Sequence, residues 1–121
     1  MNKRDVIISN YETPFHRGLV NDETYLKVKN NNNECIDEIE LMVKIKDGII
    51  NDIVFDGEAC MIVISSTSIL IKTLIGKTID EAKLIVKNYE NMIEQKDYDK
   101  SILGDLVVYA DIYRQPSRKL S

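Results

Sequence analysis

An Asp47-Gly48 pair separates two runs that can each form a strand. Upstream, Ile39, Leu41, Val43 and Ile45 alternate with Glu38, Glu40, Met42, Lys44 and Lys46. That period of two marks a half-buried strand. Downstream, Ile49-Ile50-Asn51-Asp52-Ile53-Val54-Phe55 offers the partner. Asp-Gly between such runs signals a two-residue type I′ turn, whose central residues both need positive φ. A hairpin with one apolar face has to cover it, and the remaining sequence supplies helices. Residues 60–75 read as an apolar helix with Gly76 as the left-handed residue that ends it. Thr78-Ile79-Asp80-Glu81 forms a capping box, and Ile79, Ala82, Ile85, Val86, Tyr89, Met92 and Ile93 follow at helical spacing. Residues 4–11 predict a short amphipathic helix, stopped by Pro14. Thr24 to Lys29 alternates as a further strand, while residues 13–18, 30–33 and 95–101 read as loops. Residues 103–106 open a last short helical or irregular piece that Pro116 ends. The expected fold class is α+β: a small antiparallel sheet of about three strands with helices packed on one face, in a single domain over residues 1–121.

Composition narrows the function classes. A chain of 121 residues can build one core without disulfides. A net charge of -4 argues against nucleic acid as a partner, because phosphate binding needs a concentrated basic surface. No apolar run approaches the roughly 20 residues of a membrane helix, and the start lacks a signal-peptide core of about 7–15 apolar residues. The expectation is a cytoplasmic protein with no membrane partner. A structural disulfide is disfavoured in that reducing compartment, so Cys35 and Cys60 have to be read from their setting.

The hairpin provides that setting. With a tight turn at 47 and 48, Lys46 faces Ile49. Counting outwards one for one brings Cys35 opposite Cys60 and Asp37 opposite Glu58. Asp37, two residues from Cys35, lies on the same face of an extended chain. Cys60 also stands at or near the N-terminus of the apolar helix, where backbone N–H groups and the helix dipole favour a thiolate. Two thiols and a carboxylate at one spot suit zinc or iron. Two packed small hydrophobes and a redox disulfide across the hairpin are the alternatives.

These residues resemble the iron–sulfur cluster assembly scaffolds of the SufU, IscU and NifU N-terminal type. Asn32-Asn33-Glu34-Cys35-Ile36-Asp37 is similar to the family's Asn-Pro-x-Cys-Gly-Asp, and Phe55-Asp56-Gly57-Glu58-Ala59-Cys60 to its Phe-x-Gly-x-Gly-Cys. Ser66 and Ser68 fall in the family's small-residue run, and residues 75–82 also fit. Residues 96–99 with 103–106 look like the insertion that marks the SufU branch. Arg4-Asp5-Val6-Ile7 with Tyr11, Pro14 and Gly18 looks like the family's first helix and loop, and Pro116-Ser117-Arg118 like its Pro-x-Arg. Three glycine or proline positions differ: Asn33, Ile36 and Ala59 stand there. The third family cysteine falls on Ser121, the last residue, where relatives continue into a C-terminal helix.

The resemblance implies a metal site of Cys35, Asp37 and Cys60, with Ser121 at the vacant third-cysteine position and Arg118 in support. It implies zinc or a transient iron–sulfur cluster as the bound group. Cys35 becomes the sulfur acceptor, a cysteine desulfurase the donor, and apoproteins the recipients. The chain would be a scaffold rather than a turnover enzyme. A member that keeps only desulfurase binding, or a small thiol redox protein, are the competing functions. His16, the only histidine, matches no family ligand and reads as surface.

Overall fold

The structure is a computed structural model that describes residues 2–31 and 38–113. Helix α1 (Lys3–Glu12) is followed by β1 (Leu26–Asn31), β2 (Glu38–Lys46) and β3 (Ile49–Glu58). Then come α2 (Met61–Leu74), α3 (Ile79–Ile93), two 3₁₀ turns (Lys100–Ile102 and Gly104–Tyr109) and the short α4 (Ala110–Tyr113). The strands form an antiparallel sheet in the order β1-β2-β3. This is the α+β architecture expected from the hairpin and the helical periodicities.

Local chemistry sets the boundaries. Asn2 caps α1 by accepting from the Asp5 N–H at 2.9 Å, and the helix stops at Glu12 ahead of Pro14. Asp47 and Gly48 have φ of 54° and 76°, the pair of left-handed residues that a type I′ turn requires. Thr78 and Glu81 form the capping box of α3. Gly76 follows the end of α2 at φ 88°, and its N–H donates to the Ile50 carbonyl at 2.8 Å. The turn between α2 and α3 is thereby tied to the start of β3. Strand β1 begins at Leu26 and runs to Asn31, so Asn30 and Asn31 extend the strand where the sequence predicts a loop. Their backbones pair with Ile39 and Glu38, and that pairing overrides the weak strand preference of asparagine.

The hairpin register departs from the one-for-one count. Lys46 faces Ile49 and Ile45 faces Ile50, but Lys44 faces Asp52, and the ladder keeps that offset to Glu38 opposite Glu58. Asn51 is the extra residue of a β-bulge. The bulge aligns Ile50 with Ile53 and Phe55 in the core, although Ile50 and Ile53 are three apart.

Those residues pack with Val6 of α1, Ile64, Ile69, Ile71 and Leu74 of α2, and Ala82, Ile85 and Met92 of α3. Leu103, Leu106 and Tyr109 close the same core. Met42 and its cross-strand partner Val54 are buried outside that cluster, on the opposite face of the sheet. Tyr25 serves this second face: its hydroxyl donates to Asp52 at 2.5 Å, and Lys44 sits over its ring. Small residues of α2 let α1 approach. Ser68 is fully buried; its hydroxyl donates to Asn10 Oδ1 at 2.8 Å and accepts from the Phe15 N–H at 2.8 Å. Ser65, also fully buried, accepts from the Tyr109 hydroxyl at 2.6 Å. No helix among the described residues is long and apolar enough to cross a membrane.

Candidate metal centre

Cys60 is the residue where sheet becomes helix. β3 ends at Glu58, Ala59 links, and Cys60 is the N-cap of α2 with φ -68° and ψ 166°. Its carbonyl accepts the Ile64 N–H at 3.0 Å, the first bond of the helix. Its side chain takes no part in capping and is exposed. The thiol therefore stands at the open end of the hairpin, opposite the Asp47-Gly48 turn, at the positive end of a long helix. The sequence places it there, and the structure agrees.

Cys35, Asp37, Arg118 and Ser121 lie outside the described residues. Among the described residues, no three His, Cys, Asp or Glu side chains come together to hold a metal ion. The bulge at Asn51 removes the register from which Cys35 was placed directly opposite Cys60. Glu58 faces Glu38, not Asp37. One extra residue in β3 displaces every pair beyond it by one.

Two features hold the chain just before Cys60. Gly57 has φ 138°, and a Cβ built on it would lie 1.9 Å from the Glu38 carbonyl oxygen. Only glycine lets the first residue of β2 approach so closely. On the outer edge of β3, residues 16–18 add a short run of pairing. The Phe55 N–H donates to the His16 carbonyl at 3.1 Å, and the Gly18 N–H donates to the Phe55 carbonyl at 2.7 Å. Arg17 then reaches further along the strand. Its Nη2 donates to the Gly57 carbonyl at 2.7 Å and its Nε to Asp56 Oδ1 at 3.2 Å. The same Asp56 oxygen accepts the Gly57 N–H at 2.8 Å. That N–H first, and the guanidinium second, hold the Asp56 carboxyl below its ordinary range.

This end of the sheet is acidic. Glu38 faces Glu58 and Glu40 faces Asp56, and like charges directly opposite are unfavourable. Glu38, Glu40 and Asp56 line a cleft of about 200 Å³ with Leu19 and Ile39. Arg17 is the cation paired with this row among the described residues. Sequence reading passed over Arg17, since its main partner is a backbone carbonyl brought close only by the fold.

His16 is exposed, as the sequence reading has it, and it is also engaged. Nδ1 lies 2.9 Å from Asp52 Oδ1 and 3.1 Å from the Ile53 carbonyl, and the ring stacks on Phe15 at 3.8 Å. Asp52 adjoins the bulge, towards the turn end of β3, away from Cys60.

Comparison with known proteins gives relatives of the same family and fold. The model of the NifU-like N-terminal domain matches residues 2–121. The zinc-dependent sulfurtransferase SufU of Bacillus subtilis is 35% identical over 116 residues, covering 95% of this chain and 78% of that protein. The iron–sulfur cluster assembly scaffold protein IscU of Thermotoga maritima is 30% identical over 102 residues, covering 84% of this chain and 71% of that protein. The crystal structure of a candidate SUF-system iron–sulfur cluster assembly scaffold from Fervidobacterium islandicum superposes with a TM-score of 0.78 at 29% identity, covering 94% of this chain and 83% of that one.

Proposed function

The chain belongs to the NifU-like N-terminal domain family, and on that premise we propose that it is a scaffold of iron–sulfur cluster assembly that binds zinc or a nascent cluster and accepts sulfur from a cysteine desulfurase. The observation that carries the reading is the position of Cys60: an exposed thiol on the N-cap of α2, at the hairpin end where β2 begins one residue after Asp37. Cys35, Asp37 and Cys60 are the proposed ligands, a soft pair of thiolates and one harder carboxylate. That donor set fits zinc, and the weaker carboxylate suits a site that has to release what it holds. Zinc, when bound, keeps its thiolate ligands deprotonated near neutral pH.

In the proposed transfer, the Cys35 thiolate attacks the terminal sulfur of the desulfurase persulfide. A sulfur–sulfur bond forms on Cys35, the donor's sulfur–sulfur bond breaks, and the donor cysteine leaves as thiolate, with no net oxidation. The chain is then an acceptor that hands sulfur or cluster to apoproteins, rather than a turnover enzyme. The proposed setting is cytoplasmic, with residues 1–121 acting as one scaffold domain. Arg118 is proposed to support the site.

Ser121 favours a second reading. Three protein ligands fall one short of a closed zinc site, and a serine hydroxyl stays protonated where a thiolate would bind. A chain without a complete site would persist as a desulfurase-binding partner. Metal analysis of protein purified without added metal separates the readings. Near-stoichiometric zinc or iron is expected; no metal supports the partner role, and a reducible internal disulfide supports a redox role. Ser121→Cys should raise zinc affinity at pH 7 in competition with a chromogenic chelator, and Cys35→Ser should abolish binding. Unchanged affinity in Ser121→Cys would remove Ser121 from the ligand position.

A further inference from the structure

We infer that Arg17 is a positioning residue for this metal centre: its guanidinium closes the outer edge of β3 at Gly57, three residues before Cys60, and so fixes where the thiol leaves the sheet. The inference rests on the zinc-scaffold reading above and extends it to a residue from another part of the chain. Phe55 and Gly57 have the same parity in β3, and both meet a partner on the outer edge. Phe55 meets backbone groups of His16 and Gly18, whereas Gly57 meets the Arg17 side chain. Arg17 thus supplies the next rung of the ladder after the backbone of residues 16–18 has run out.

The other side of Gly57 is pressed against the Glu38 carbonyl, so this residue is held from both edges. Gly57 leads to Cys60 three residues on, so the clamp acts on the segment that carries this proposed ligand. Arg17 also answers the charge of Asp56, which would otherwise face Glu40 across the ladder uncompensated. A lysine could reach one of these acceptors. The forked guanidinium spans the carbonyl and the carboxylate together.

Arg17→Ala and Arg17→Lys test this in the full chain. Zinc affinity is read by chelator competition at pH 7, and amide hydrogen exchange is followed over residues 56–61. Arg17→Ala should weaken zinc binding by about three- to tenfold, at or below the low end for a group bonded directly to a ligand, because Arg17 acts through Gly57 and Asp56. It should also speed exchange over 56–61. Arg17→Lys should fall between parent and Arg17→Ala in both readouts. The urea midpoint should stay near the parent's, because the contacts are solvent-exposed, and that separates positioning from general loss of fold. Parent-like zinc affinity in Arg17→Ala overturns the inference. If the parent itself binds no zinc, the scaffold reading fails on its own account and exchange decides about Arg17. Unchanged exchange over 56–61 then overturns the clamp too, and faster exchange keeps Arg17 as the organiser of the segment before Cys60.

Discussion

Gly57 sets the distance between β2 and β3 at the end of the sheet nearest Cys60. Gly57→Ala places a methyl group 1.9 Å from the Glu38 oxygen, and the backbone there has positive φ. The expected loss is about 2–3 kcal/mol in urea denaturation, from overpacking and backbone strain together. A parent-like midpoint would mean that β2 moves aside without cost. Tyr25 offers a second residue-level check. Its bond to the Asp52 carboxylate, helped by burial, pushes the phenol up to about 12 from 10.0. A raised folded value stabilises fully below the unfolded pKa near 10.0, and that contribution is lost as pH climbs through about 12. Phenolate absorbance should therefore show a late-titrating component, and Tyr25→Phe should lower its amplitude by one tyrosine. An undiminished late component in Tyr25→Phe would assign it wholly to other tyrosines, such as buried Tyr109.

The capping box at the start of α3 is an element whose signal was local and complete. Thr78 Oγ1 accepts from the Glu81 N–H at 3.1 Å, and Glu81 Oε1 accepts from the Thr78 N–H at 3.0 Å. Thr78→Ala should cost about 1 kcal/mol in thermal or urea unfolding; no change would show that tertiary contacts alone fix the start of α3. The I′ turn and the Gly76 stop were equally readable, because each needs only neighbouring residues. The bulge was not. Ile49, Asn51, Ile53 and Phe55 share one parity, so simple alternation puts polar Asn51 on the apolar face, but that one break does not say which residue is extra. The core instead takes Ile50, on the other parity, and leaves Ile49 43% exposed. Cys60 was placed correctly by the boundary between a strand pattern and a helix pattern. Arg17 was illegible for the opposite reason: its partner at Gly57 is forty residues away and contributes only a carbonyl.

At the scale of the molecule, buried polar groups fasten α1 and the C-terminal turns onto α2. Asn10 Oδ1 accepts from both Ser68 and Lys72, while its Nδ2 donates to the Val6 carbonyl at 2.8 Å. Asn10→Ala strips a buried hydroxyl and an ammonium of their acceptor, a loss of about 2–3 kcal/mol. Tyr109→Phe removes one bond from Ser65, whose hydroxyl also donates to the Ile62 carbonyl at 3.3 Å, and should cost about 1 kcal/mol. Denaturation of the two variants should preserve that order; equal losses would mean that the Asn10 network relaxes onto water. Between the turn and Cys60 the chain depends instead on the sheet's register and on the outer-edge contacts at Phe55 and Gly57. Because side chains alternate faces, adding or deleting one residue between Gly48 and Cys60 turns every later side chain of β3 over. The length of that segment is therefore under a constraint that surface loops escape: its composition can change while its residue count stays fixed, and only a paired insertion and deletion would move the bulge and keep the later faces.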